Sequence, residues 1–88
     1  MTREERLLVL AVAAYRRSHG VGPAWRAVGR VFGWSHRELE ERLFAARRAG
    51  LVTFDRRPGS LDVPAAVLRR ALAEQRAERA GGREGAGP

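Results

Sequence analysis

The sequence predicts a mainly α fold with a small β-hairpin: a three-helix core, a two-stranded hairpin and an extra C-terminal helix. Three observations predict it. Apolar residues recur at helical spacing in four separate stretches. Two of those stretches open on a Ser/Thr-x-x-Glu pattern, in which side chain and backbone at a helix start satisfy each other. Between the third and fourth stretches the pattern switches to alternation around a Pro-Gly turn. The chain has 88 residues, 44% of them hydrophobic, which suffices for one small core and no more. One domain is expected over residues 1–78, followed by a disordered tail over 79–88.

The first helix is expected over residues 3–18. Thr2 and Glu5 supply the capping box. Leu7, Leu8, Ala11, Val12 and Tyr15 make one apolar stripe, which Leu10 and Ala14 widen. Arg16 and Arg17 suit the negative end of the helix dipole, and Gly20 is the stop. The second helix opens at Gly22-Pro23, where a first-turn proline loses no hydrogen bond. Trp25, Val28, Val31 and Phe32 form its inner face and Arg26 and Arg30 its outer face, with Gly33 as the stop. Gly29, poor for a helix interior, marks a close approach by another helix. Ser35 and Glu38 box the start of the third helix. Leu39, Leu43 and Ala46 face inward; Arg37, Glu40, Glu41, Phe44 and Arg48 face outward; Gly50 ends it. Only Gly33-Trp34-Ser35 separates the two helices, so the chain must turn sharply, as a helix-turn-helix does.

Leu51-Val52-Thr53-Phe54-Asp55 and Ser60-Leu61-Asp62-Val63 then alternate, with Val52, Phe54, Leu61 and Val63 expected inward. Arg56-Arg57-Pro58-Gly59 makes the turn between them and carries two positive charges. Pro64 opens the last helix, expected through about Glu78, whose apolar face is Val67, Leu68, Ala71 and Leu72. From Ala80 onward there are four glycines in nine residues and no large apolar side chain.

Composition excludes several function classes. Cysteine is absent, so there are no disulfides, thiolate metal sites or cysteine nucleophiles. His19 and His36 stand apart without metal-ligand spacing, and no metal or cofactor is expected. The longest apolar run, Leu7 to Ala14, is 8 residues against the roughly 20 needed to span a bilayer, and it follows a charged stretch unlike a signal peptide. A soluble cytoplasmic protein without membrane partners is therefore expected. All 17 basic residues are arginine, against 10 acids, for a net charge of +7. A GC-rich codon preference accounts for arginine over lysine and for the 15 alanines, but not for the sign. That sign favours a polyanionic partner, most often nucleic acid. The few hydroxyls, each without a base and oxyanion site in pattern, point to no enzyme.

Gly20-Val21-Gly22-Pro23, Val28, Phe32-Gly33-Trp34, the Ser35 cap, Glu40-Glu41, Leu43 and Gly50-Leu51-Val52 together resemble a winged helix-turn-helix. The match is similar to the DNA-binding domain of LexA-type repressors, and Gly50-Leu51-Val52 is shared with small MarR-like regulators. It covers about half of the chain. Three features depart from the LexA pattern: Ala24 replaces a Ser or Thr cap, the helix-turn-helix connection is one residue shorter, and His36 and Arg37 replace small or amide residues. The resemblance implies a sequence-specific DNA-binding transcriptional regulator acting on double-stranded DNA at the nucleoid.

The residues themselves suit that chemistry. Polar side chains early in a helix reach base edges when it lies in the major groove. Arg37 matches the two acceptors of guanine, and Ser35 and His36 lie beside it. Glu40 and Glu41 sit on the same helix and stand in the place of the LexA-type Glu-Glu pair. Arg26 and Arg30 are placed to meet the DNA backbone, and Arg56 and Arg57 the backbone or the minor groove. An alternative reading is a protein-interaction module that contacts its partner through Phe44, Glu40 and Glu41. A homodimer is expected through the first and last helices, since a domain this small rarely buries both.

Overall fold

The computed structural model describes the backbone of residues 1–85 and the side chains of 1–81. Four helices follow one another: α1 (Arg3–His19), α2 (Trp25–Phe32), α3 (His36–Arg48) and α4 (Ala65–Gly85). The local signals set most of their ends. At α1, Thr2 Oγ1 accepts from the Glu5 N–H at 3.1 Å and the Thr2 N–H donates to Glu5 Oε1 at 2.6 Å. At α3, Ser35 Oγ accepts from the Glu38 N–H at 3.2 Å and the Ser35 N–H donates to Glu38 Oε1 at 3.3 Å. The end of α3 is a Schellman motif: Leu51 N–H donates to Ala46 O and Gly50 N–H to Arg47 O, with Gly50 at φ 76°. Leu51 and Ala46, bonded across it, are both buried. The second helix begins later than the Gly22-Pro23 signal suggests. Its N-cap is Ala24, which offers no side-chain bond.

α1 packs against α4, and α2 against α3. The core takes Leu8, Val9 and Val12 from α1, Val28 from α2, Leu39, Leu43 and Ala46 from α3, and Ala71 from α4. Leu51, Val52 and Leu61 fill it from the connection between α3 and α4. α1 is rotated relative to the expected stripe: Val9 is fully buried, while Leu7 is 39% exposed. The reason is α4, which draws in the Arg6 side; Arg6 is itself buried and bonded to Glu78. Val31, expected inward, is exposed. An ideal Cβ at Gly29 would lie 3.4 Å from Trp34 O and 3.5 Å from Leu39 of α3, ordinary contacts, so the close approach expected there is not one that excludes a side chain.

The two-stranded wing is not formed. Among the described residues there is no strand or sheet, only one antiparallel bridge between Thr53 and Asp62, whose N–H groups donate to each other's carbonyls at 2.9 Å. The donors needed to extend the ladder are committed elsewhere or missing. Toward the turn, the next bonded pair would be Asp55 with Ser60. The Asp55 N–H instead donates to Ser60 Oγ, Ser60 Oγ donates to Asp55 O, and the Ser60 N–H donates to Arg57 O. Side-chain bonds of this kind compete directly with a ladder. In the other direction, Leu51 N–H is committed to the end of α3, and Pro64 has no N–H to give. Alternation fails with it, since Leu51 and Val52 are both buried. The fold is thus mainly α, with a bonded loop in place of a wing.

That loop is anchored rather than free. Arg16 of α1 donates to Gly59 O and Leu61 O at 3.1 and 3.3 Å and pairs with Asp62 at 3.2 Å. Gly22 N–H donates to Gly59 O at 2.9 Å, so the α1–α2 connection presses on the same segment. Arg57-Pro58-Gly59-Ser60 closes as a type II turn, with proline second and Gly59 at φ 78° in third place.

α4 extends seven residues past its expected end at Glu78. Its surface over 76–81 is exposed, in keeping with the lack of apolar residues there. Of the expected disordered tail, residues 86–88 lie outside the described residues.

Candidate nucleic-acid interface

The short α2–α3 connection places two arginine-bearing helices beside each other. Phe32 and Trp34 stack across it at 4.6 Å, and the Arg42 guanidinium sits 5.4 Å from the Trp34 ring centre. Arg42 also pairs with Glu4, which ties the connection to α1. This bracing fixes the direction in which α3 leaves the turn.

Ser35, His36, Arg37, Glu40 and Glu41 are all exposed on the first half of α3. The carboxylates there are internally matched. His36 Nε2 lies 3.0 Å from Glu40 and Arg37 Nε 3.4 Å from Glu41, each one turn apart. Glu38 is held in the capping box. Helical spacing puts Arg37, Glu41 and Arg48 on one outer stripe, opposite Leu39 and Leu43.

Arg26 and Arg30 of α2 meet His36 around a depression of about 600 Å³. Arg56 and Arg57 line a second, larger cleft with Phe44 and Arg47. Trp25 lines both, so the two concavities adjoin. Of the site residues named from sequence, Arg26, Arg30 and His36 surround one concavity and Arg56 and Arg57 the other, with Trp25 in both; Ser35, Arg37, Glu40 and Glu41 line neither.

Arg56 and Arg57 are not equivalent. Arg57 donates from Nε and Nη2 to Asp55 Oδ2 at 3.0 and 2.7 Å, and its N–H donates to Asp55 Oδ1 at 2.7 Å. The Arg57 side-chain and backbone bonds hold the Asp55 carboxyl at about 2, well below its ordinary 3.8, and Asp55 raises Arg57 in return. Arg56 is exposed and has no acidic partner among the described residues. The same is true of Arg26, Arg30, Arg47 and Arg48. The face therefore carries paired or hydrogen-bonded carboxylates, of which Glu41 and Asp55 face an arginine, and five guanidinium groups without an acidic partner among the described residues.

Phe44 belongs to an aromatic cluster with Trp25 and Phe54, at ring-centre distances of 5.8, 5.1 and 5.4 Å and steep angles of 74–86°. It remains 41% exposed. Arg47 was not among the site residues read from sequence; its guanidinium lies 4.8 Å from the Phe54 ring centre. Its one sequence signal is the three-residue spacing from Phe44, which places both on neighbouring surface.

Comparison with family models, curated proteins and solved structures found no match to this chain. Among the described residues, no group of three His, Asp or Glu could hold a metal ion, and no helix is long and apolar enough to cross a membrane.

Proposed function

We propose that this chain is a sequence-specific DNA-binding transcriptional regulator that acts in the cytoplasm at the nucleoid. The observation that carries the proposal is the distribution of charge on the α2–α3 face. Each carboxylate there is held by a neighbour, while Arg26, Arg30, Arg47, Arg48 and Arg56 have no acidic partner among the described residues. Such a surface attracts phosphates because its arginines outnumber its carboxylates.

In this reading α3 lies in the major groove, with its outer stripe toward the bases. Arg37 is the base reader. Its pair with Glu41 is exposed, and an i,i+4 pair of that kind is worth only about 0.3–0.5 kcal/mol. A bidentate contact to guanine discriminates by about 1–3 kcal/mol, so opening the pair is favourable at the right base. Ser35 and His36 flank that contact. Arg26, Arg30, Arg48 and Arg56 take phosphates, while Arg57 shapes the loop that presents Arg56. Leu7 and Leu72, 39% and 42% exposed on α1 and α4, support a homodimer that brings two α3 helices to one duplex.

Selection of binding sites from a random duplex library tests the reading. The parent returns a consensus, and Arg37→Ala returns one relaxed at one or two base pairs. Identical consensus sequences would remove Arg37 as the reader, and no enrichment by the parent would remove the function. The 41% exposure of Phe44 favours a second reading, a protein partner docked on α3 across Phe44, Glu40 and Glu41. That reading gains if the parent enriches no DNA.

A further inference from the structure

We propose that the cleft between the start of α2, the second half of α3 and the 55–60 loop binds single-stranded DNA. It takes one unstacked nucleotide, the base against Phe44 and Trp25 and the phosphate on Arg47 and Arg56. The cleft measures about 1030 Å³, ample for a nucleotide. This goes beyond duplex recognition: it shares Arg56 with the duplex reading and adds Trp25, Phe44 and Arg47.

Three features point to this ligand. The first is the aromatic wall. Trp25, Phe44 and Phe54 all lie outside the fully buried core, and no two of them are stacked. The exposure of Phe44 and the partial exposure of Trp25 leave ring surface for a planar group. The second is the pair of guanidinium groups at the rim. Arg47 is held over Phe54, and Arg56 has no acidic partner among the described residues. The third is the state of Asp55, the carboxylate in the cleft lining. It is engaged by Arg57, so it does not repel a phosphate. Aromatic faces beside cations suit a base joined to a phosphate. In a duplex both faces of a base are covered by its neighbours, whereas an unstacked base has a face to offer.

The chain has two tryptophans, and Trp34 lies outside the cleft, so Trp34→Phe leaves Trp25 as its reporter. In that background the probes are oligothymidylate, a fully paired hairpin duplex and thymidine monophosphate. Oligothymidylate is expected to quench Trp25, while the duplex, bound by anisotropy, leaves its emission unchanged. Arg47→Ala, a change on an exposed side chain, is expected to lower single-strand affinity about 10-fold and to reduce its salt slope by about 0.7, a larger loss than the same change causes on the duplex. Phe44→Leu, which keeps the apolar bulk but not the ring, is expected to weaken the single strand alone. Trp25 emission unchanged at saturating oligothymidylate, or equal quenching by the duplex, would overturn the proposal while leaving duplex recognition standing. Quenching by the single strand without any duplex binding would uphold it and remove duplex recognition. Tighter binding of thymidine monophosphate than of the oligonucleotide would assign the cleft to free nucleotides and overturn the single-strand role.

Discussion

Gly22→Ala should be among the most damaging single-methyl changes in the chain. A Cβ at Gly22 would overlap the Leu61 carbonyl oxygen and lie 2.9 Å from the Leu61 carbonyl carbon and 3.0 Å from Gly59 O. Those neighbours are backbone, and Arg16 holds both carbonyls in place, so neither moves freely. Three losses follow. The Gly22–Gly59 bond contributes about 1 kcal/mol. The two Arg16 bonds, partly exposed, contribute about 1 kcal/mol together. Displacing Leu61, only 1% exposed, costs about 1 kcal/mol or more by overpacking. The sum is about 3 kcal/mol. Gly20→Ala is the control: Gly20 has φ 77° and nothing near its Cβ position, so only the left-handed backbone cost of about 1 kcal/mol applies. Urea unfolding followed by circular dichroism reads both. With a slope of about 1 kcal/mol/M, the midpoint falls by about 3 M for Gly22→Ala and about 1 M for Gly20→Ala. Equal midpoints for the two variants would refute the close packing of the 20–24 connection on the 59–61 segment.

Other variants probe separate links. Ser35→Ala removes the cap of α3 and should cost about 1 kcal/mol in the same unfolding assay, with no loss meaning that the cap does not set the helix start. Gly29→Ala meets only ordinary contacts and should raise stability by up to about 1 kcal/mol; a clear loss would mean α2 and α3 pack more tightly than described. Asp55 titrates at about 2 when folded against 3.8 when free. A depressed carboxyl stabilises the loop fully above the free value and loses that effect as pH falls through about 2. The carbon-13 shift of its carboxyl should therefore titrate near 2 and move toward 3.8 in Arg57→Ala; a parent midpoint already near 3.8 would deny the Asp55–Arg57 closure.

The helices were legible because their signals are local. Thr2 with Glu5, Ser35 with Glu38, and the stops at Gly20, Gly33 and Gly50 each act within one turn of chain. The face of α1 was less legible. Its apolar run offers several stripes, and the choice among them is made by α4, which follows about fifty residues later. The wing failed for a similar reason. Alternation is visible in the sequence, but the competing bonds of Ser60, Asp55 and the α3 terminus depend on where the folded chain brings them. At the candidate site, the i,i+4 spacing of Arg37 and Glu41 was visible in the sequence. The aromatic cluster was not, because Trp25, Phe44 and Phe54 come together from three segments and make sense of an outward phenylalanine only in space.

The most direct test of duplex recognition is the salt dependence of binding to mixed-sequence duplex DNA. Arg26, Arg30, Arg48 and Arg56 would neutralise four phosphates, and at about 0.9 per contact the logarithm of affinity should fall against that of salt with a slope near −3.6. The double variant Arg26→Ala, Arg30→Ala should halve that slope to about −1.8 while keeping its helical content. A parent slope near zero, or a double variant with the parent's slope, would contradict the assignment of the α2–α3 face to DNA.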